Sequence, residues 1–222
     1  MNKLGQYIGD SKRFFVSRFG SICTVLFPAL IPINLAYILS LSKFGPSSDA
    51  TFFVFSLSLA LYPLYQGALI LFMHRDIQGR DELNENVSVL YKSVLPIWSS
   101  LIILYTLVLV AAAIGFALFV LPGLYIIARL SFAEFECLLK GLSPFDAIKK
   151  SWSDTEESQF VLMAGLIVIW AATALPVLFM QQAISYQSFS GAISYFLLGL
   201  LGSVITVPIT IFRYRMYSDS IS

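Results

Sequence analysis

Apolar runs long enough to cross a bilayer constrain this chain more than any other feature. A transmembrane helix needs about 20 mostly apolar residues. Such runs fall at 21–42, 52–73, 159–182 and 191–212, with a longer stretch over 94–139. At 46 residues, that stretch is too long for one span and fits two joined by a tight turn. Pro122-Gly123 is the natural punctuation, which predicts a third helix over 94–117 and a fourth over 122–139. Proline is tolerated in a first helical turn, where its missing N–H is no loss. The alternative puts the turn near Gly115 and makes Pro122 a kink.

The distribution of basic residues tests this division. Cytoplasmic loops carry an excess of Lys and Arg. With six spans, both termini and the 74–93 and 140–158 loops share one side. Those segments hold Lys3, Lys12, Arg13, Arg18, Arg75, Arg80, Lys92, Lys140, Lys149, Lys150, Arg213 and Arg215. The opposite side has only Lys43, and Arg129 is inside a span. Both termini are therefore expected in the cytoplasm. The first run is too long for a signal-peptide core and reads as an uncleaved span. Overall, 58% of residues are hydrophobic and 12% charged, against about 25% charged in an ordinary soluble domain. That composition argues against a soluble globule, a disordered chain and a nucleic-acid module.

The cytoplasmic segments carry a helical pattern of their own. Leu4, Tyr7, Ile8, Phe14, Phe15 and Phe19 fall on one face, with Lys3, Asp10, Lys12 and Arg13 opposite. Leu83, Val87, Leu90 and Val94 repeat the spacing, as do Phe145, Ile148 and Trp152. Each reads as an interfacial amphipathic helix attracted to anionic cytoplasmic lipids. The fold expected is all-α: one domain over 1–222 with six transmembrane and three interfacial helices. It reads as three units of amphipathic helix plus hairpin, over 1–74, 80–140 and 143–222. Trp98, Trp152, Tyr91, Tyr214 and Tyr217 fit a cytoplasmic aromatic belt, and Tyr186 and Tyr195 the opposite one.

Two segments are distinctive. Pro122-Gly123-Leu124-Tyr125-Ile126-Ile127-Ala128-Arg129 opens the fourth span. Ser143-Pro144-Phe145-Asp146-Ala147-Ile148-Lys149-Lys150-Ser151-Trp152 follows, with an N-cap, a proline at the first helical position and an acid in the first turn. Together they resemble a prokaryotic superfamily of six-helix membrane domains. It includes the uncharacterised YciC-type bacterial inner-membrane proteins and the membrane domain of some glycerophosphodiester phosphodiesterases. The resemblance implies structural roles for Pro122, Gly123, Pro144, Asp146, Ser151 and Trp152, and a bacterial inner-membrane location. Glu134 and Glu136 depart from the apolar or proline residues of the family pattern.

Charges inside the spans are the candidate site: Arg129, Glu134 and Glu136. An Arg near mid-membrane costs about 2.5–3.5 kcal/mol on insertion scales and should face a partner or a cavity. Glu136 is seven residues on, about 20° short of two turns and about 10 Å along the axis, so the two share a face. Glu134 points away from it. Both glutamates are expected in a wet vestibule near the cytoplasmic end. One histidine and two apolar-flanked cysteines offer no catalytic set, metal site or cofactor site. The small pairs Ala111/Gly115 and Gly199/Ser203 allow close helix approach, within the chain or in a homodimer.

The leading expectation is a non-enzymatic accessory or scaffold protein of an envelope process, its membrane-protein partner unspecified. The alternative is a transporter or lipid-handling protein with its site around Arg129 and Glu136.

Overall fold

The computed structural model describes residues 2–44, 48–79, 86–186 and 192–220. Arg80, Leu83 and 187–190 lie outside these, and Lys43, Tyr186 and Tyr195 are not described at side-chain level. Among the described residues the protein is all helix. The elements are α1 (Asn2–Ser17), α2 (Phe19–Phe44), α3 (Ser48–Ile77), α4 (Val87–Val94), α5 (Trp98–Leu118), α6 (Val120–Arg129), α7 (Ala133–Lys140), α8 (Pro144–Asp154), α9 (Gln159–Tyr186), α10 (Ala192–Ile205) and α11 (Val207–Ser220). A 3-10 turn, Leu95–Ile97, joins α4 to α5 at Pro96.

Five stretches among the described residues are long and apolar enough to cross a membrane: Phe19–Ser40, Phe55–Ile77, Val87–Leu118, Gln159–Phe179 and Phe196–Ser220. They match five of the six expected runs. The chain is a multi-pass membrane protein. Its outward surface is correspondingly apolar, with Ile103, Leu109 and Ile114 on α5 and Trp170 and Phe179 on α9 exposed.

The remaining run, 122–139, is broken in two. Phe119 is fully extended and turns the chain between α5 and α6. The turn therefore precedes Pro122, which lies in the first turn of α6, and Pro122 is not a kink. The two helices meet through glycine. A Cβ on Gly115 would lie 2.8 Å from the Gly123 Cα, and one on Gly123 would strike the Phe116 ring at 2.5 Å. The Tyr105–Glu134 contact then places α7 beside the earlier part of α5. Together α6 and α7 run antiparallel along α5. The break falls at Leu130–Phe132, where the Ala133 N–H bonds the Leu130 carbonyl instead of Arg129. Gly141, at φ 67°, ends α7 in the left-handed conformation that glycine adopts without strain.

The expected amphipathic helices are docked on protein. On α1, Phe14 is buried and Leu4, Tyr7 and Ile8 pack against the core. Tyr7 donates to Asp219 Oδ2 at 2.7 Å, and that hydrogen bond pushes its phenol up to about 12. Its ring also meets Phe212 edge-on, so α1 packs along α11. On α4, Leu90 and Val94 are buried, and the Tyr91 hydroxyl donates to the Val25 carbonyl. α8 follows the expected arrangement only in part. Ile148 packs against the core beside the small buried Ala147 and Ser151, while Phe145 and Trp152 stay 63% and 41% exposed.

Small residues serve contacts within the chain. Besides the Gly115–Gly123 contact, a Cβ on Gly199 would overlap the Asn34 side chain where α10 crosses α2. Tyr214 and Tyr217, expected in the aromatic belt, are instead buried in the core. Tyr217 packs on Phe132 and Phe135 with centroids 5.5 and 5.1 Å away.

Candidate functional site

The break in the fourth apolar run organises the polar interior. A broken helix leaves backbone groups that must find partners inside the membrane. Here α8 supplies them. Ser151 Oγ donates to the Arg129 carbonyl at 2.8 Å and accepts from the Phe132 N–H at 3.1 Å. Thr155 Oγ1 approaches the same carbonyl at 3.0 Å while bonding the Ser151 carbonyl at 2.7 Å. Ser151 and Thr155 are four residues apart, on the face that packs toward the break.

The start of α8 explains how those hydroxyls are placed. Ser143 accepts from the Asp146 N–H at 3.3 Å and donates to the Asp146 carboxylate at 2.5 Å. Pro144 occupies the first helical position. Lys150 donates to Asp154 at 2.6 Å, and this bond raises the lysine above its ordinary value. Asp146 and Pro144 thus set where α8 begins, and Ser151 falls on the break two turns later.

Arg129 is 4% exposed. Its guanidinium carbon lies 4.6 Å over the Trp152 ring and 5.9 Å from the Tyr125 ring centre. Its Nη1 donates to Gln159 Oε1 at 3.3 Å. No described carboxylate lies within ion-pair distance of it. A desolvated cation over an indole gains about 2 kcal/mol or more, the scale of the insertion cost. Trp152 is therefore a lid on Arg129 rather than a simple interface anchor.

Glu134 and Glu136 do not join Arg129. The break at Leu130–Phe132 destroys the seven-residue register on which that pairing was expected. Glu134 lies 2.8 Å from Arg213 Nη2 and accepts a 2.5 Å hydrogen bond from Tyr105. The same Nη2 donates to the Ser131 carbonyl at 2.9 Å. Glu136 accepts from Lys140 at 2.8 Å, an i,i+4 pair within α7. The glutamates are 3% and 0% exposed, so the expected wet vestibule is a buried position beside Phe132, Phe135 and Tyr217. His74, beside the end of the second span, has its Nδ1 2.7 Å from the Tyr214 hydroxyl.

The sequence singles out none of Arg213, Tyr105, Gln159 and Thr155 as members of this network. Arg213 falls among the basic residues expected in the cytoplasm, yet its side chain is 17% exposed. Its place directly after an unbroken apolar run was the available signal. Tyr105 and Gln159 carried none, since nothing local distinguishes them. Among the described residues no group of three or more His, Cys, Asp or Glu side chains comes together to hold a metal.

A separate cleft of about 400 Å³ opens beside this network. It is lined by α3, α5, α6 and α11, with Tyr62, Tyr105 and Arg213 among its residues. Neither Arg129 nor Glu136 reaches it.

No protein-family model matches the chain. No solved structure matches it either. The chain is similar to a UPF0259 membrane protein of Wigglesworthia glossinidia brevipalpis, at 30% identity over 132 residues, 60% of this chain and 49% of that protein. It spans about half the length of the curated relative it matches. Composition, helical spans and this similarity agree on a multi-pass integral membrane protein.

Proposed function

We propose that the protein is a non-enzymatic component of the bacterial inner membrane, an accessory or scaffold subunit of an envelope process. One observation carries this reading: the intramembrane charges are engaged in bracing the bundle. Arg129 is stacked on Trp152, Glu134 is held by Arg213 and Tyr105, and Glu136 is held by Lys140. A general acid or base must exchange protons with a substrate at hydrogen-bond distance. These groups would have to abandon the packing they hold together.

The reading includes six crossings with both termini in the cytoplasm. Taking α6 and α7 as one broken crossing beside α5 restores the one-sided distribution of basic residues. It also includes membership of the YciC-type family. The motif residues support this by having connected roles: Pro122 lies in the first turn of α6, Gly123 packs on Gly115 and Phe116, Pro144 and Asp146 begin α8, Ser151 bonds the break and Trp152 covers Arg129. Anionic lipids of the cytoplasmic leaflet are the partners of Lys12, Arg13, Lys149 and Lys150.

The test is cross-linking at native expression level. Intact membranes are cross-linked, solubilised in mild detergent and resolved by native electrophoresis. The expected species is a stoichiometric complex with a second envelope protein. Migration as the free 24.7 kDa chain, with and without cross-linker, would overturn the accessory reading.

A further inference from the structure

We propose that the cleft between α3, α5, α6 and α11 binds a single-chain amphiphile with an uncharged oxygen head, of the fatty-alcohol or monoacylglycerol class. This inference does not depend on the scaffold reading. It rests on the shape of the cleft, its lining and its place in the membrane.

The volume, about 400 Å³, is within the range of about 300–1,000 Å³ typical of small-molecule sites. Its walls are hydrocarbon: Phe55 and Leu59 from α3, Val108 and Leu109 from α5, Ile127 from α6 and Leu130 at the break. Phe55 and Leu109 are 53% and 47% exposed and belong to membrane-crossing stretches, so the mouth faces lipid. A ligand reaching it comes laterally from the bilayer, and its body is apolar.

The polar groups of the lining specify the head. Arg213 Nη2 is engaged with Glu134 and the Ser131 carbonyl, and Nε is buried out of reach of the cleft. The Tyr105 hydroxyl proton is committed to Glu134, whereas Tyr62 accepts from Gln66 at 3.0 Å and retains its own proton to donate. The lining therefore offers one hydroxyl donor, that of Tyr62, to an acceptor oxygen. Arg213 and Glu134 already cancel each other's charge. An anionic head would stand beside Glu134 and a cationic head beside Arg213, so the matching head is neutral.

The experiment uses the purified full chain in phosphatidylethanolamine–phosphatidylglycerol vesicles with three photoreactive probes. These are a long-chain fatty alcohol with a mid-chain diazirine, the matching fatty acid, and a phosphatidylcholine with the same reactive tail. The alcohol should label segments 55–62 and 105–112 at least about tenfold more than the phospholipid does, equivalent to about 1.4 kcal/mol of preference. Ser58→Trp and Val108→Trp fill the cleft from opposite walls. Each should lower that labelling about tenfold while leaving labelling of the outward face of α9 unchanged. The α9 labelling reports that each variant is inserted. Equal labelling by alcohol and phospholipid, or no loss in both inserted variants, would overturn the proposal. Stronger labelling by the fatty acid would overturn the neutral head. If neither variant inserts, the comparison of probes on the unaltered chain decides the question.

Discussion

Ser151 donates a hydrogen bond of 2.8 Å to the carbonyl of Arg129, 22 residues earlier in the chain. The contact ties a helix outside the spans to the break inside one. The same oxygen accepts from the Phe132 N–H, so one hydroxyl satisfies both a donor and an acceptor that the break exposes.

Ser151→Ala strands the Phe132 N–H and leaves the Arg129 carbonyl to Thr155 alone. Each buried backbone group left unpaired costs about 1–3 kcal/mol. The variant should insert normally but unfold at a lower temperature in detergent. A Tm equal to that of the unaltered protein would show that the break is held by other means.

Arg129→Lys keeps the charge and loses the guanidinium contact over the Trp152 ring. The expected loss is about 0.5–2 kcal/mol of stability, with a change in tryptophan emission. Because Trp98 and Trp170 also emit, the measurement is made in a Trp98→Phe, Trp170→Phe background. Emission insensitive to Arg129→Lys would mean that the guanidinium does not lie on the indole in the membrane.

Glu134 and Arg213 are a buried pair across α7 and α11. Removing one partner strands the other, at about 3–5 kcal/mol, whereas removing both in favour of apolar residues often recovers much of the loss. Glu134→Leu and Arg213→Leu should each lower the amount of folded protein, and the double variant should exceed both. Additive losses would show that the two side chains do not act as a pair.

Tyr7 offers a test by pH. A free tyrosine titrates near 10, and the Asp219 hydrogen bond holds Tyr7 up to about 12. The folded value is the higher one, so this contact contributes fully below about pH 10 and fades as the pH rises through 12. Site-specific NMR of labelled Tyr7 should show late ionisation, returning toward about 10 in Asp219→Ala. An unshifted Tyr7 would remove the link between α1 and α11.

Topology can be read with one cysteine. Ser188 lies outside the described residues, between α9 and α10 in the sequence. With six crossings, Ser188→Cys in a background lacking Cys23 and Cys137 reacts with an impermeant thiol reagent on intact cells. Reaction only after lysis would reverse that side of the topology.

Much of the architecture was legible in the sequence because it rests on local quantities. Run lengths, the 3.6-residue period and the Pro-Gly and Ser-Pro signals need no knowledge of neighbours. They indicated five of the membrane-length stretches, the place of Pro122 in a first turn and the start of α8 at Pro144. The presence of charge in the fourth apolar run was equally plain. Its pairing was not. The expected Arg129–Glu136 face assumed an unbroken helix, and a carbonyl released at Arg129 costs too much in lipid unless something bonds it. Ser151 and Thr155 do so from another helix, a condition that no local pattern contains. The break then turns Glu134 toward Arg213 and Tyr105 and leaves Arg129 to Trp152. The sequence by itself determined that this chain lives in a membrane and where most of its apolar stretches lie. Tertiary structure decided which charge meets which, because that choice depends on hydrogen bonds and stacking between residues far apart in the chain.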